Sequence, residues 1–220
     1  MFADLSEILL LTFYVSGTAL LISTILGVPT GVFLGLRRFA GRRAAMAFLY
    51  TGMGFPPVVI GLFVYLFLSR SSPLGRLNLP FVPQLFTPGA MILAQIIIAF
   101  PLIAGFTMAA ILGVDRHLRQ QVLSLGATER QAAQAVLWEA RVGVVVAIIA
   151  GFGGIISEVG AVMLVGGNIA HETRVMTTAI VLETRMGNFS LALTLGVLLL
   201  AIAFIINAAM LRLQGRDVDE

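Results

Sequence analysis

The chain has no cysteine and no lysine. Without cysteine there is no disulfide and no thiolate chemistry. Without lysine there can be no Gly-x-x-x-x-Gly-Lys-Ser/Thr loop, so the chain has no P-loop of its own. All fourteen basic residues are therefore arginines. Charge is sparse too: 11% of the 220 residues are charged, against roughly 25% in soluble domains. The only histidines are His117 and His171, which is too few for a visible metal-ligand cluster. No nucleophile–base–acid constellation stands out, which argues against an intramembrane hydrolase. What is present in quantity is apolar: 59% of residues are hydrophobic and the mean hydropathy is +1.00. This composition belongs to an all-α integral membrane protein. The net charge of +3 comes from arginines that flank apolar runs, so they read as topological anchors and not as a nucleic-acid surface.

Five apolar runs are each long enough for about 20 helical residues. They are Ile8–Leu36, Ala44–Leu68, Gly89–Leu112, Val142–Val165 and Phe189–Leu211. Gly27, Pro29 and Gly31 can kink the first, and Pro56-Pro57 and Pro101 lie inside the second and third. The N-terminal stretch has Asp4 and Glu7 where a secretory signal carries positive charge, so it is expected to remain as the first span. Ten arginines fall on one side of this arrangement: 37, 38, 42, 43, 116, 119, 130, 141, 212 and 216. The other four, 70, 76, 174 and 185, fall on the opposite side. The positive-inside rule then puts the N-terminus outside and the C-terminus in the cytoplasm. One membrane domain, residues 1–220, is the economical division. On the outer side, Arg70–Thr87 holds three prolines and reads as an irregular loop. Within Gly166–Asn188, the stretch Thr173–Met186 reads as a short helix, either lying on the surface or dipping partway into the membrane.

The longest polar run between apolar segments is Asp115–Arg141. It reads as two short helices. Asp115 caps the first and Gly126 ends it in a left-handed conformation. Thr128, with Gln131 three residues on, starts the second by a capping box. Glu129, Ala133, Val136 and Ala140 lie near one face of that helix, and Arg130, Gln134 and Arg141 near another. Such a helix either docks on a partner or lies on its own protein. Downstream, Glu158 is the one acidic residue well inside a span, and glycines 151, 153, 154, 160, 166 and 167 crowd around it. Intramembrane carboxyls are functional candidates, but glycine-rich faces also permit close helix packing. Together they point to a packing or gating seam that includes Glu158, Gly160, Gly166, Gly167 and Asn168.

The polar run resembles the cytoplasmic "EAA" loop of ABC-importer permeases. Gly126-Ala127 stands at that pattern's glycine and Val136 at its isoleucine. Gln120, Gln121 and Val122 replace Glu-Ala-Ala, and Trp138-Glu139 replaces Leu-Pro. The likeness is greatest to the tungstate type within the molybdate/sulfate/tungstate permeases. It rests on Gly126–Thr128, Glu139–Arg141, Ile156–Ala161, Gly166–Asn168, Thr173–Val175 and Thr177–Ile180, with Gly54–Gly75 upstream. The resemblance implies a type I ABC-importer permease fold, five transmembrane helices with a coupling loop at about 115–141, and no catalysis in this chain. It further implies a homodimeric pore, two cytoplasmic ATPase subunits that carry ATP and magnesium, an extracytoplasmic binding protein and an oxyanion cargo in a prokaryotic inner membrane. Gly126, Ala127, Thr128, Glu129, Arg130 and Ala133 would be the coupling residues. A molybdate or sulfate permease is the alternative within the family. A passive channel or structural membrane subunit is the alternative outside it.

Overall fold

The computed structural model describes residues 2–72, 75 and 82–213. Arg76, Arg216 and much of the proline-bearing connection after Arg70 lie outside these. Among the described residues the fold is all helical. The elements are α1 (Phe2–Leu36), α2 (Arg42–Met53), α3 (Pro57–Leu68), α4 (Pro88–Gly113), α5 (Arg116–Ser124), α6 (Glu129–Glu139), α7 (Arg141–Ile156), α8 (Gly160–Gly166), α9 (Met176–Arg185) and α10 (Phe189–Leu213). Three of them, α1, α4 and α10, are long and apolar enough to cross a membrane. Two bent pairs, α2–α3 and α6–α7, raise the number to five at most.

The first, third and fifth expected spans are single helices. Gly27 and Gly31 pack; they do not break α1, which continues through Pro29 as one helix of 35 residues. With Gly35 they form a stripe at four-residue spacing, so they share one face. A Cβ on Gly27 would lie 3.0 Å from Ile103, and one on Gly31 2.5 Å from the Ala104 carbonyl oxygen. One on Gly35 would lie 2.6 Å from Ile111. Bare backbone here lets α1 and α4 approach closely. In a lipid environment, where apolar burial between helices gains little, such contact is the main source of association. α4 is the centre of the molecule. Met91, Ala94, Ile98 and Ile103 are buried against Val15 and Ala19 of α1, Ile60 and Val64 of α3, and Ile155, Val162 and Val165 of α7 and α8.

The second expected span is not a straight helix. α2 ends at Met53 and α3 starts at Pro57, at 103° to it. Neither Pro56 nor Pro57 has an N–H to continue the ladder, and a residue before proline is pushed out of the helical region. Pro56 is extended (φ −61°, ψ 123°) and Pro57 opens α3, where a missing N–H costs nothing. α2 is amphipathic, with only Leu49 buried. The fourth expected span is also broken, at Ser157–Val159, into α7 and the seven-residue α8. The short helix expected within Thr173–Met186 forms as α9, narrower than expected. Met176, Thr177, Thr178 and Ala179 are buried, so its first turn dips into the protein.

Candidate coupling loop and helix break

Residues 115–141 form a helical hairpin at the C-terminal end of α4, and its local signals all operate. The Asp115 carboxylate accepts from His117 N at 2.8 Å. At the far end of α5, Gly126 N donates to Leu123 O (3.0 Å) and Ala127 N to Val122 O (3.3 Å). Gly126 sits at φ +87°. This is the paired hydrogen-bond pattern of a Schellman ending, which requires a left-handed residue at that position. Thr128 then opens α6. Its N–H donates to Gln131 Oε1 at 2.8 Å, and its hydroxyl accepts from Gln131 N at 3.4 Å, closing the capping box.

The hairpin is held to the bundle by one side of α6. Ala132, Val136 and Ala140 are buried, and Val136 and Ala140 cluster with Ile111 at the foot of α4. Val136 therefore packs on its own chain, and Ala133 is only half-buried beside that face. α5 buries none of its described side chains. A cavity of about 570 Å³ separates it from the bundle, lined by Gly113, Asp115, Leu118, Gln121, Glu139 and Gly143 among others. Gly126, Thr128, Glu129 and Arg130 are exposed at the tip and Ala127 is half-buried. Glu129 is ion-paired with Arg119 of α5, which ties the two helices to each other. Two side chains that the pattern did not single out dominate the free surface: Leu125 is 88% exposed and Trp138 70%. Arg141 stacks over the Trp138 ring at 5.1 Å, an arrangement that stabilises an exposed indole. A leucine at a helix end and a tryptophan after apolar positions look like core in sequence. Only the placement of the hairpin turns them outward.

The second group is divided in space. Glu158 lies in the break before α8, while Gly166 ends that helix and Gly167 and Asn168 follow it, about 10 Å away along its axis. Glu158 is 8% exposed. Its Oε1 accepts from Ala161 N at 2.8 Å, so the carboxylate caps the first turn of α8 instead of bridging to another helix. The cross-helix bonds at the break come from other groups. Thr177 Oγ1 of α9 donates to Glu158 O at 3.0 Å, and Gln95 Nε2 of α4 donates to Ile155 O at 3.2 Å. Gly160 abuts Val58, and a Cβ on Gly61 would stand 2.5 Å from Ala161 Cα, so α3 and α8 cross in near backbone contact. At the other end Gly166 is buried against Met91, Gly167 takes φ 72°, and Asn168 takes φ 53° with its Oδ1 buried and unpartnered. Thr173 Oγ1 donates to Gly166 O at 2.5 Å and accepts from Ile169 N at 2.9 Å, fastening the following loop.

Because one carboxylate oxygen serves as a cap, Glu158→Gln should keep the fold and activity near wild type, while Glu158→Ala should lose about 1 kcal/mol. Thermal denaturation of the purified protein separates the two. Equal loss in both variants would contradict the capping role.

The chain is a membrane-crossing helical bundle that carries a capped helical hairpin beyond its apolar core. Residues 27–216 match the family described as "Binding-protein-dependent transport system inner membrane component", and the chain belongs to that family. It is 42% identical over 217 residues to a probable anion ABC transporter permease protein of Haloferax volcanii, covering 96% of this chain and 91% of that one. It is 39% identical over 207 residues to the tungstate uptake system permease protein TupB of Peptoclostridium acidaminophilum, covering 94% and 89%. The molybdenum transport system permease protein ModB of Escherichia coli K12 is 28% identical over 176 residues, covering 79% and 77%. The chain is accordingly a non-catalytic, multi-pass membrane permease of the ABC type.

Proposed function

We propose that this chain is the permease subunit of an ATP-driven importer for a tetrahedral oxyanion, tungstate before molybdate or sulfate. The observation that carries the substrate is the likeness to a tungstate permease along 94% of the chain. The observation that supports coupling is the Gly126 tip, which leaves Leu125, Thr128, Glu129 and Arg130 exposed beyond the bundle. In this reading one domain, residues 1–220, pairs with a second copy to enclose the pathway. Each hairpin seats on one of two ATPase subunits, which hold ATP and magnesium. A binding protein delivers the anion on the opposite side. The arginine distribution supports an N-terminus outside and a hairpin and C-terminus in the cytoplasm. ATP-driven closure would press on α5 and α6, and α6 would transmit the push to α4 through Val136 and Ala140. The α7–α8 break and the bare α3–α8 crossing are joints where such tilting can occur.

Reconstitution tests this. Vesicles holding the permease with its ATPase, supplied with liganded binding protein and internal ATP, should accumulate tungstate; vesicles with the permease alone should not. Equal tungstate flux from the permease alone, without ATP, would establish a passive channel instead.

A further inference from the structure

The loop after α8 closes a second cavity, of about 240 Å³, at the end of the bundle away from the hairpin. It is lined by Glu7, Ile8 and Leu11 of α1 and by Ala170, His171 and Arg174. Three observations bear on what it holds. Arg174 makes no ion pair among the described residues, and its Nε is buried with no hydrogen-bond acceptor. A guanidinium has only donors to offer, and a buried donor left unmet is costly enough that it normally has a partner. Glu7 is the one carboxylate among the described residues that line the cavity, and it is already engaged, since its Oε2 lies 2.7 Å from His171 Nδ1. Finally, the loop is shaped with effort: Asn168 and His171 both take left-handed backbone angles, φ 53° and 65°. Three backbone N–H groups, of Glu172, Thr173 and Arg174, converge on Ile169 O at 3.0–3.3 Å. This turn fixes the base of the arginine.

We propose that this cavity is an anion-receiving site at the outer mouth, in which the Arg174 guanidinium takes a tetrahedral oxyanion before it enters the pathway. The assignment rests on the cargo and orientation proposed above. The planar fork of arginine matches two oxygens of an oxyanion, and a small, partly open cavity leaves room for an anion that keeps some of its water. Ile8, Leu11 and Ala170 give apolar walls that strengthen the attraction over its value in bulk water. Glu7 acts against the anion. Its bond to His171 moderates that repulsion without removing it, so the site holds weakly and lets go. Weak holding is what a station on a transport route needs.

The test is equilibrium dialysis of tungstate against the intact permease–ATPase complex without binding protein, with bound tungsten measured by mass spectrometry. Wild type should hold tungstate. Arg174→Gln should hold it at least about tenfold more weakly, the scale of one charge-assisted contact, and Arg174→Lys should recover part of the loss. Glu7→Gln, which keeps a hydrogen-bonding group beside His171 but drops the charge, should hold it more tightly, an effect no merely structural role produces. Arg174→Gln binding like wild type, or Glu7→Gln binding no more tightly, overturns the site. If Arg174→Gln fails to assemble, Glu7→Gln alone decides. A wild-type complex that transports tungstate yet retains none in dialysis overturns the site and leaves the transport reading standing. One that does neither overturns both.

Discussion

Gly31→Val should prevent the permease from forming a stable bundle. A Cβ at residue 31 would stand 2.5 Å from the Ala104 carbonyl oxygen, 2.7 Å from Thr107 Cβ and 3.0 Å from Met108 N. Two of these three atoms are backbone of α4, so no rotamer change relieves the clash. The helices must part, and Gly27 and Gly35 then lose their contacts with Ile103 and Ile111 as well. Overpacking a well-filled core typically costs about 1–3 kcal/mol. Valine brings two methyls beyond the Cβ and acts on the most intimate helix pair in the molecule, so the upper end or more is expected. Size-exclusion chromatography and thermal denaturation of the detergent-purified protein will show it as aggregation or a large fall in melting temperature. Gly17→Val, on the same helix but with nothing among the described residues within 4 Å of its Cβ position, is the control and should be silent. A monodisperse Gly31→Val protein with unchanged melting temperature would mean the two helices do not meet there.

Gly126→Val should abolish ATP-driven uptake while leaving the membrane bundle intact. Residue 126 sits at φ +87°, where a side chain on an L-residue costs about 1–2 kcal/mol and β-branching adds to that. Nothing among the described residues lies within 4 Å of the Cβ position, so no internal clash contributes. The turn either opens, displacing Thr128 and the start of α6, or it survives and presents a bulky side chain to whatever seats on the tip. Gly126→Asn tolerates the left-handed angle better and keeps the turn. If asparagine retains ATPase co-purification and uptake while valine loses both at equal expression, the turn itself is the requirement. If both lose ATPase binding, the bare tip is the requirement. Normal uptake with valine would argue that the hairpin does not couple.

The parts of the fold set by local chemistry were legible in the sequence. Asp115, Gly126, Thr128 and Gln131 are short-range signals whose hydrogen bonds close within six residues, and each forms as spacing implied. The spans at α1, α4 and α10 follow from length and hydropathy alone. Hydropathy carries no direction, however. The run Ala44–Leu68 is apolar throughout, so its 103° bend was visible only as a pair of prolines whose effect depends on what packs around them. The break at Glu158 was hidden for a related reason. A carboxylate in an apolar run can bond to a distant helix or to its own backbone three residues on, and the sequence does not distinguish the two. The outward-facing Leu125 and Trp138 could not be found from pattern, because exposure on the hairpin is decided by Val136 and Ala140 docking on Ile111. Arg174 was legible only as a charge outside the spans. Its significance lies in the cavity that Glu7, from the other end of the chain, helps to close.

The contact between α1 and α4 also sets an order of events during synthesis. The surface that completes α1 lies on a helix that ends 77 residues after Leu36, at Gly113. At translation rates of about 5–20 residues per second, roughly 4–15 s pass before it has all been made. Throughout that interval the glycine groove of α1 waits for α4, and Thr12, Ser16 and Ser23 face where α4 and its neighbours will later stand. The hydroxyl of Thr12 meets the interval by bonding to its own Ile8 carbonyl at 2.6 Å, an arrangement the lone helix already possesses. Assembly of the bundle is therefore a late capture of the first helix by the fourth, with the bent α2–α3 segment already laid down between them in the chain.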